Sequence, residues 1–175
     1  MFGSKQTGFK YPCSTVQELT DVCSGGTPDR NRSEYWEQGI IPWVKTTELQ
    51  NNVIEKVEEH ITERGLVESS AKLVPAGTIL IAMYGQGKTR GMTAFLNIAA
   101  ATNQACACLL PTDKVDMVYM WRYFVNSYTE LRGLAKGSNQ ANLNAGMIRN
   151  FPVPLPPMSM QHKFVEFVEQ TDKSK

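Results

Sequence analysis

The chain has 175 residues, 42% hydrophobic and 20% charged, the balance of one globular domain with a sizeable core. No apolar run approaches a membrane span, and the opening Met-Phe-Gly-Ser-Lys-Gln-Thr-Gly is not a signal peptide, so a cytoplasmic location is expected. The net charge of +1 conceals an asymmetry: residues 34–72 carry eight acidic and four basic side chains, residues 86–149 seven basic and three acidic. Such a split is either chance on a solvated surface or one basic face that meets phosphate.

In chain order, residues 16–22 read as a short strand or helical turn. Ser24-Gly25-Gly26-Thr27-Pro28-Asp29 is turn-dense and leads to Arg30 and Arg32, and Tyr35 to Lys45 runs into a strand. Residues 68–73 read as a short helical patch. Val74-Pro75-Ala76-Gly77 is a turn that launches an apolar strand over 78–84, buried on both faces. A glycine-rich tip over 85–91 returns as a strand over 92–98, and 105–110 is a third strand closed by Pro111. Cys106 and Cys108 share one face of that strand. With Cys13 and Cys23 they form no C-x-x-C pair, so buried free thiols are expected in place of a zinc site.

Residues 116–134 predict one long amphipathic helix, with Met117, Met120, Trp121, Phe124, Tyr128 and Leu131 as its core stripe. A polar loop over 137–144 and a short turn to Arg149 follow. Pro152, Pro154, Pro156 and Pro157 each fix φ and lack an N–H, so the exit from the domain must be extended. Ser159 then offers a hydroxyl to a terminal helix whose Met160, Phe164, Phe167, Val168 and Thr171 fall on one face. The pattern predicts an α+β fold: a curved mixed or antiparallel sheet with flanking helices, then the start of a long coiled-coil-type helix. Residues 1–157 form the domain and 158–175 the start of an assembly helix. Because the prolines hold it away, the ridge Met160, Phe164, Phe167 and Val168 is expected to pack on a second copy, on a matching helix or on another subunit.

Ala82-Met83-Tyr84-Gly85-Gln86-Gly87-Lys88-Thr89 satisfies a relaxed Walker A pattern, with Ala in place of the first Gly. A phosphate loop must open a helix, yet Gly91 would fall in its first turn and β-favouring Met92-Thr93-Ala94-Phe95 follows. A nucleotide-binding enzyme built on Gly87-Lys88-Thr89 is therefore the alternative reading. Other catalytic sets are missing: no Lys has Asp or Glu two positions before it, and there is no Gly-x-Ser-x-Gly, H-E-x-x-H or Asn-Pro-Pro-aromatic motif. His60 and His162 stand in unrelated contexts and read as solvated.

Three blocks carry a family resemblance. They are Gly25-Gly26-Thr27-Pro28 followed by Tyr35-Trp36 and Gly39-Ile40-Ile41-Pro42-Trp43; the strand, basic glycine-rich turn and strand followed by Asn103-Gln104 and a strand ending at Pro111; and the proline exit with Gln161 before the apolar stripe. Met160 stands where relatives usually carry Glu. In this order they resemble a single target recognition domain of the DNA-specificity subunits of type I restriction-modification systems, with the first turns of the conserved helix. The resemblance implies a non-catalytic subunit component that reads one half of a bipartite double-stranded DNA site. It would position a modification (methyltransferase) subunit and a restriction subunit, with S-adenosylmethionine, ATP and Mg on those partners and no cofactor here. Full subunits usually carry two such domains, so a half-subunit, a truncated frame or a cut piece is expected.

Three clusters are candidate DNA contacts. In the glycine-rich hairpin, Lys88 and Arg90 supply charge and Gln86 and Thr89 hydrogen bonds; the bland alternative is a surface hairpin charged for solubility. In the polar loop, Lys136, Ser138, Asn139, Gln140 and Asn142 have groups that pair with base edges or phosphate, or that merely cap turns. Beside Trp43, expected in the core, Lys45, Thr46 and Thr47 could reach phosphate.

Overall fold

The computed structural model describes residues 3–4, 8–85, 87–135 and 142–173. Its strands in chain order are β1 (Gly3–Ser4), β2 (Gly8–Phe9), β3 (Cys13–Thr15), β4 (Val22–Ser24), β5 (Ile41–Val44), β6 (Asn52–Ile54), β7 (Glu59–Ile61), β8 (Ile79–Ala82), β9 (Thr93–Leu96), β10 (Ala101–Thr102), β11 (Cys106–Leu109) and β12 (Pro152–Pro154). The α-helices are α1 (Val16–Leu19), α2 (Glu63–Val67), α3 (Met117–Asn126), α4 (Tyr128–Leu134), α5 (Ala145–Arg149) and α6 (Met158–Lys173). None of the helices among the described residues is long and apolar enough to cross a membrane.

The main sheet has five strands in the order β4-β11-β8-β9-β6; all neighbours are antiparallel except the parallel β6–β9 pair. Strand alternation divides the core in two. Ile79, Ile81, Ala107 and Leu109 face α3 and pack with Tyr119, Met120 and Phe124, whereas Leu80, Ala82, Cys106 and Cys108 face Val44, Leu49 and Ile54. Both central strands are thus buried on both faces, as their uninterrupted apolar composition requires. A second sheet, β10-β5-β7, is also mixed, and it buries Trp43 and Ile61. The α+β expectation of mixed sheets with flanking helices therefore holds.

Local departures have physical causes. The short helix lies at 63–67, not at 68–73, because the Thr62 hydroxyl accepts the Gly65 N–H at 3.0 Å and caps it there. The long helix begins as expected at Asp116, whose carboxylate accepts the N–H groups of Val118 and Tyr119, both at 2.9 Å. It breaks at Ser127, where φ −90° and ψ 13° leave the helical region and separate α3 from α4.

The proline run is a strand: β12 pairs antiparallel with β3. Prolines cannot donate, but their carbonyls can accept. The Tyr119 hydroxyl donates to Pro154 O at 2.7 Å and that of Tyr123 to Pro152 O at 3.0 Å, from inside the core. Burial pushes the Tyr123 phenol up to about 12.

The terminal helix is not held away from the domain. Phe164 packs edge-on against Tyr119 with ring centroids 5.8 Å apart, Val165 joins the same core, and the Arg122 guanidinium bonds Asp172 at 2.5 Å. The expected ridge is therefore divided. Phe164 turns inward, Val168 is half-buried, the Met160 sulfur accepts the Tyr11 hydroxyl at 3.4 Å, and Phe167 faces outward, being 64% exposed.

Candidate nucleic-acid interface

Strand register gathers the loops. Ser24 pairs with Ala107, Cys106 with Ala82, Ile81 with Thr93 and Asn52 with Ala94, so β4 and β8 end where β11, β9 and β6 begin. Four connections, leaving Ser24, entering Asn52, joining β8 to β9 and entering Cys106, thus open at one end of the main sheet.

Backbone hydrogen bonds knit this end together. Met83 N–H donates to Ala105 O at 2.8 Å, Leu143 N–H to Met83 O at 3.0 Å, Gly26 N–H to Thr102 O at 2.8 Å and Asn103 N–H to Val44 O at 3.1 Å. On the far side, Asn51 N–H donates to Thr93 O at 2.7 Å and its side-chain oxygen accepts Thr93 N–H at 3.0 Å. The Thr27 hydroxyl bonds the Gln104 side chain.

The described residues of all three sequence clusters lie at this end. Lys88 is exposed at the hairpin tip, with Thr89 and Arg90 half-buried behind it. Asn142 is exposed beside Leu143, and Lys45, Thr46 and Thr47 enter the connection to β6. Gln86, Lys136, Ser138, Asn139 and Gln140 lie outside the described residues.

Lys45 differs electrostatically from Lys88. Its Nζ lies 2.6 Å from Glu58 and 3.1 Å from Glu59, and these bonds raise its pKa. Glu59 also binds Arg30, whose guanidinium lies 3.7 Å over the Trp36 ring and 4.7 Å over that of Trp43. The acidic stretch thus neutralises the first basic cluster, while Lys88 makes no ion pair of 4.0 Å or less among the described residues.

The Walker-like segment is a hairpin. Gly91 N–H donates to Ala82 O and Ala82 N–H to Met92 O, both at 2.9 Å, and the chain enters β9 directly. With no helix opening at Gly87-Lys88-Thr89, the amide cradle of a phosphate loop does not form and the nucleotide-site alternative is withdrawn.

By its spacing Tyr128 belongs to the core stripe, and Arg132 carries no site signal in the sequence. Both instead reach the hairpin from α4: the Tyr128 hydroxyl donates to Lys88 O and Arg132 Nη1 to Arg90 O, each at 2.7 Å. Gly91 is buried against them at φ 85°, where an added Cβ would lie 3.0 Å from Arg132 Cγ. Their i, i+4 spacing is visible in the sequence, but the carbonyls they reach lie 40 and 42 residues away in the chain, which no local pattern shows.

The described residues thus form a mixed α+β domain whose loops and basic hairpin converge at one end of the main sheet, the arrangement of a DNA specificity domain. The chain belongs to the type I restriction modification DNA specificity domain family, whose model matches residues 13–175. It is 27% identical over 161 residues to the specificity subunit of the Escherichia coli type I restriction enzyme EcoR124I/EcoR124II, covering 90% of this chain and 40% of that one. With the MjaIX specificity subunit of Methanocaldococcus jannaschii it shares 28% over 162 residues, 90% of this chain and 37% of the relative. Among solved structures, a chain of a type I R-M system superposes with TM-score 0.75 at 20% identity, covering 99% of this chain and 41% of that one. The HsdS subunit of Thermoanaerobacter tengcongensis gives 0.70 at 21%, covering 94% and 37%. The chain therefore spans about 40% of the length of these relatives.

Proposed function

We propose that this chain reads double-stranded DNA sequence through the loop end of its main sheet, as one target recognition domain of a type I specificity subunit. The convergence of four connections there, with an exposed lysine on a glycine-rich tip, supports this in a chain of this family. A strand hairpin is thin enough to approach a groove, and its backbone and short polar side chains offer donors and acceptors to base edges. Lys88 anchors phosphate or a guanine edge, Arg90 and Thr89 support it, and Asn142 with the neighbouring polar loop contributes base contacts. Lys45, Thr46 and Thr47 line the flank.

The domain reads half of a bipartite site and positions the modification and restriction subunits, which carry the methyl-transfer and ATP-dependent chemistry. Phe167 and the exposed part of Met160 form its assembly surface toward a second copy, a matching helix or the modification subunit. Solvating two such side chains is unfavourable by on the order of a kcal/mol each.

The test is titration of the purified chain with duplex DNA at about 50 and 200 mM salt, alongside assays with ATP and S-adenosylmethionine. Weak, salt-sensitive binding without turnover is expected. Turnover of either cofactor, or the absence of DNA binding at low salt, defeats the proposal.

A further inference from the structure

We infer that Tyr128 and Arg132 are positioning residues for recognition: they hold the hairpin by its backbone carbonyls and so set where its side chains meet DNA. The inference rests on the reading of this hairpin as a DNA contact and adds the element that fixes its geometry.

At its base the hairpin is held by the Ala82 backbone bonds, and within the turn Met92 N–H donates to Thr89 O at 2.9 Å. These bonds tie the hairpin to itself and to its own strands. Beyond the base, α4 bonds the Lys88–Arg90 backbone and brackets Thr89 on both sides. Both donors reach main-chain oxygens, which leaves the Lys88 side chain exposed for a ligand.

The two donors act as one unit. Arg132 Nη1 also donates to the Tyr128 hydroxyl at 3.1 Å, and its guanidinium lies 5.3 Å from that ring's centroid. A hydrogen-bond chain therefore runs from guanidinium to phenol to the Lys88 carbonyl, and a charged donor at its head strengthens each bond. Gly91 lets the helix approach this closely. Arg132 directs its charge at protein backbone, as expected of a group that orients a contact residue.

Base-edge readout demands placement to a fraction of an ångström, whereas phosphate attraction tolerates looseness. Loosening the hold should therefore degrade sequence preference more than overall attraction to DNA.

The test uses the full 175-residue chain and duplexes enriched from a random library, with the affinity ratio between enriched and scrambled duplex as readout. Tyr128→Phe keeps the ring and removes the hydroxyl; Arg132→Leu removes the guanidinium; Arg132→Lys returns one cationic donor. Tyr128→Phe and Arg132→Leu should each lower the ratio about three- to tenfold, the worth of one net hydrogen bond. They should also speed amide exchange across the hairpin with little change in the global unfolding transition, and Arg132→Lys should recover part of the ratio. A purely structural role would shift global unfolding and leave the ratio intact. If Lys88→Ala weakens binding while Tyr128→Phe and Arg132→Leu keep both ratio and exchange, the positioning role is overturned alone. If Lys88→Ala is silent, the DNA contact falls and the positioning role falls with it.

Discussion

The Gln161 side-chain oxygen accepts the Asp116 N–H at 2.9 Å, and its amide nitrogen donates to the Pro156 carbonyl at the same distance. Gln161 is 2% exposed. One side chain thereby joins the end of the proline strand, the first turn of α6 and the residue that caps α3. Replacing it by Ala leaves two buried backbone groups unpaired, so Gln161→Ala should destabilise the chain by about 1–3 kcal/mol. Gln161→Glu should recover only part, because an ionised carboxylate accepts from Asp116 but cannot donate to Pro156. Urea unfolding of the two variants beside the parent chain checks both.

Gly25 passes so close to β10 that an added Cβ would lie 2.1 Å from Thr102 Oγ1 and 2.2 Å from Thr102 O. The two sheets meet there, and backbone cannot yield as a side-chain tip can. Gly25→Ala should therefore cost on the order of 2 kcal/mol, the scale of core overpacking, and lower the melting temperature. A variant that melts with the parent would mean that the crossing can relax.

Glu58 and Glu59 hold Lys45, and Glu59 also holds Arg30. A phosphate arriving at this flank must compete with those carboxylates. Glu59→Gln should raise DNA affinity by no more than a few-fold, the scale of an exposed ion pair, and the gain should shrink as salt rises. An unchanged or lowered affinity would remove Lys45 from the interface.

Cys23 and Cys108 stand directly opposite each other on β4 and β11. The Cys108 thiol facing it, with help from Lys72 and Arg149, holds the Cys23 thiol below its ordinary range, whereas burial pushes Cys106 up to about 12. Because the thiolate is the nucleophile, Cys23 should already be alkylated at neutral pH. Exposed Cys13, raised by desolvation, should label faster only as pH climbs, and Cys106 only on unfolding. Mass spectrometry after timed iodoacetamide pulses at two pH values reads the order.

Much of the scaffold was legible because its signals are local. Residues 79–82 announce a doubly buried strand by composition alone, and Gly77 and Pro111 punctuate strands 79–82 and 106–109. What escaped depends on distant partners. The prolines at 152–157 declared an extended path but not its pairing with residues 13–15, for which no local signature exists. The terminal stripe gave the right periodicity but not the inward turn of Phe164, which packs on Tyr119 of α3. Tyr128 shared its period with true core residues, and Lys45 carried no mark of the carboxylates that neutralise it. Of the site, residues at the hairpin tip were legible from glycine and charge; the residues that grip it were not.

Amide hydrogen exchange of the chain with and without an enriched duplex locates the bound DNA, because each end of the main sheet has its own loops. Protection on DNA binding should appear at 24–30, 45–51, 83–92 and 103–105, where β4 and β8 end and their neighbours begin. Protection confined to the opposite loops, at 74–78, 97–100 and 110–115, would place the DNA at the other end of the sheet and remove the hairpin from the interface.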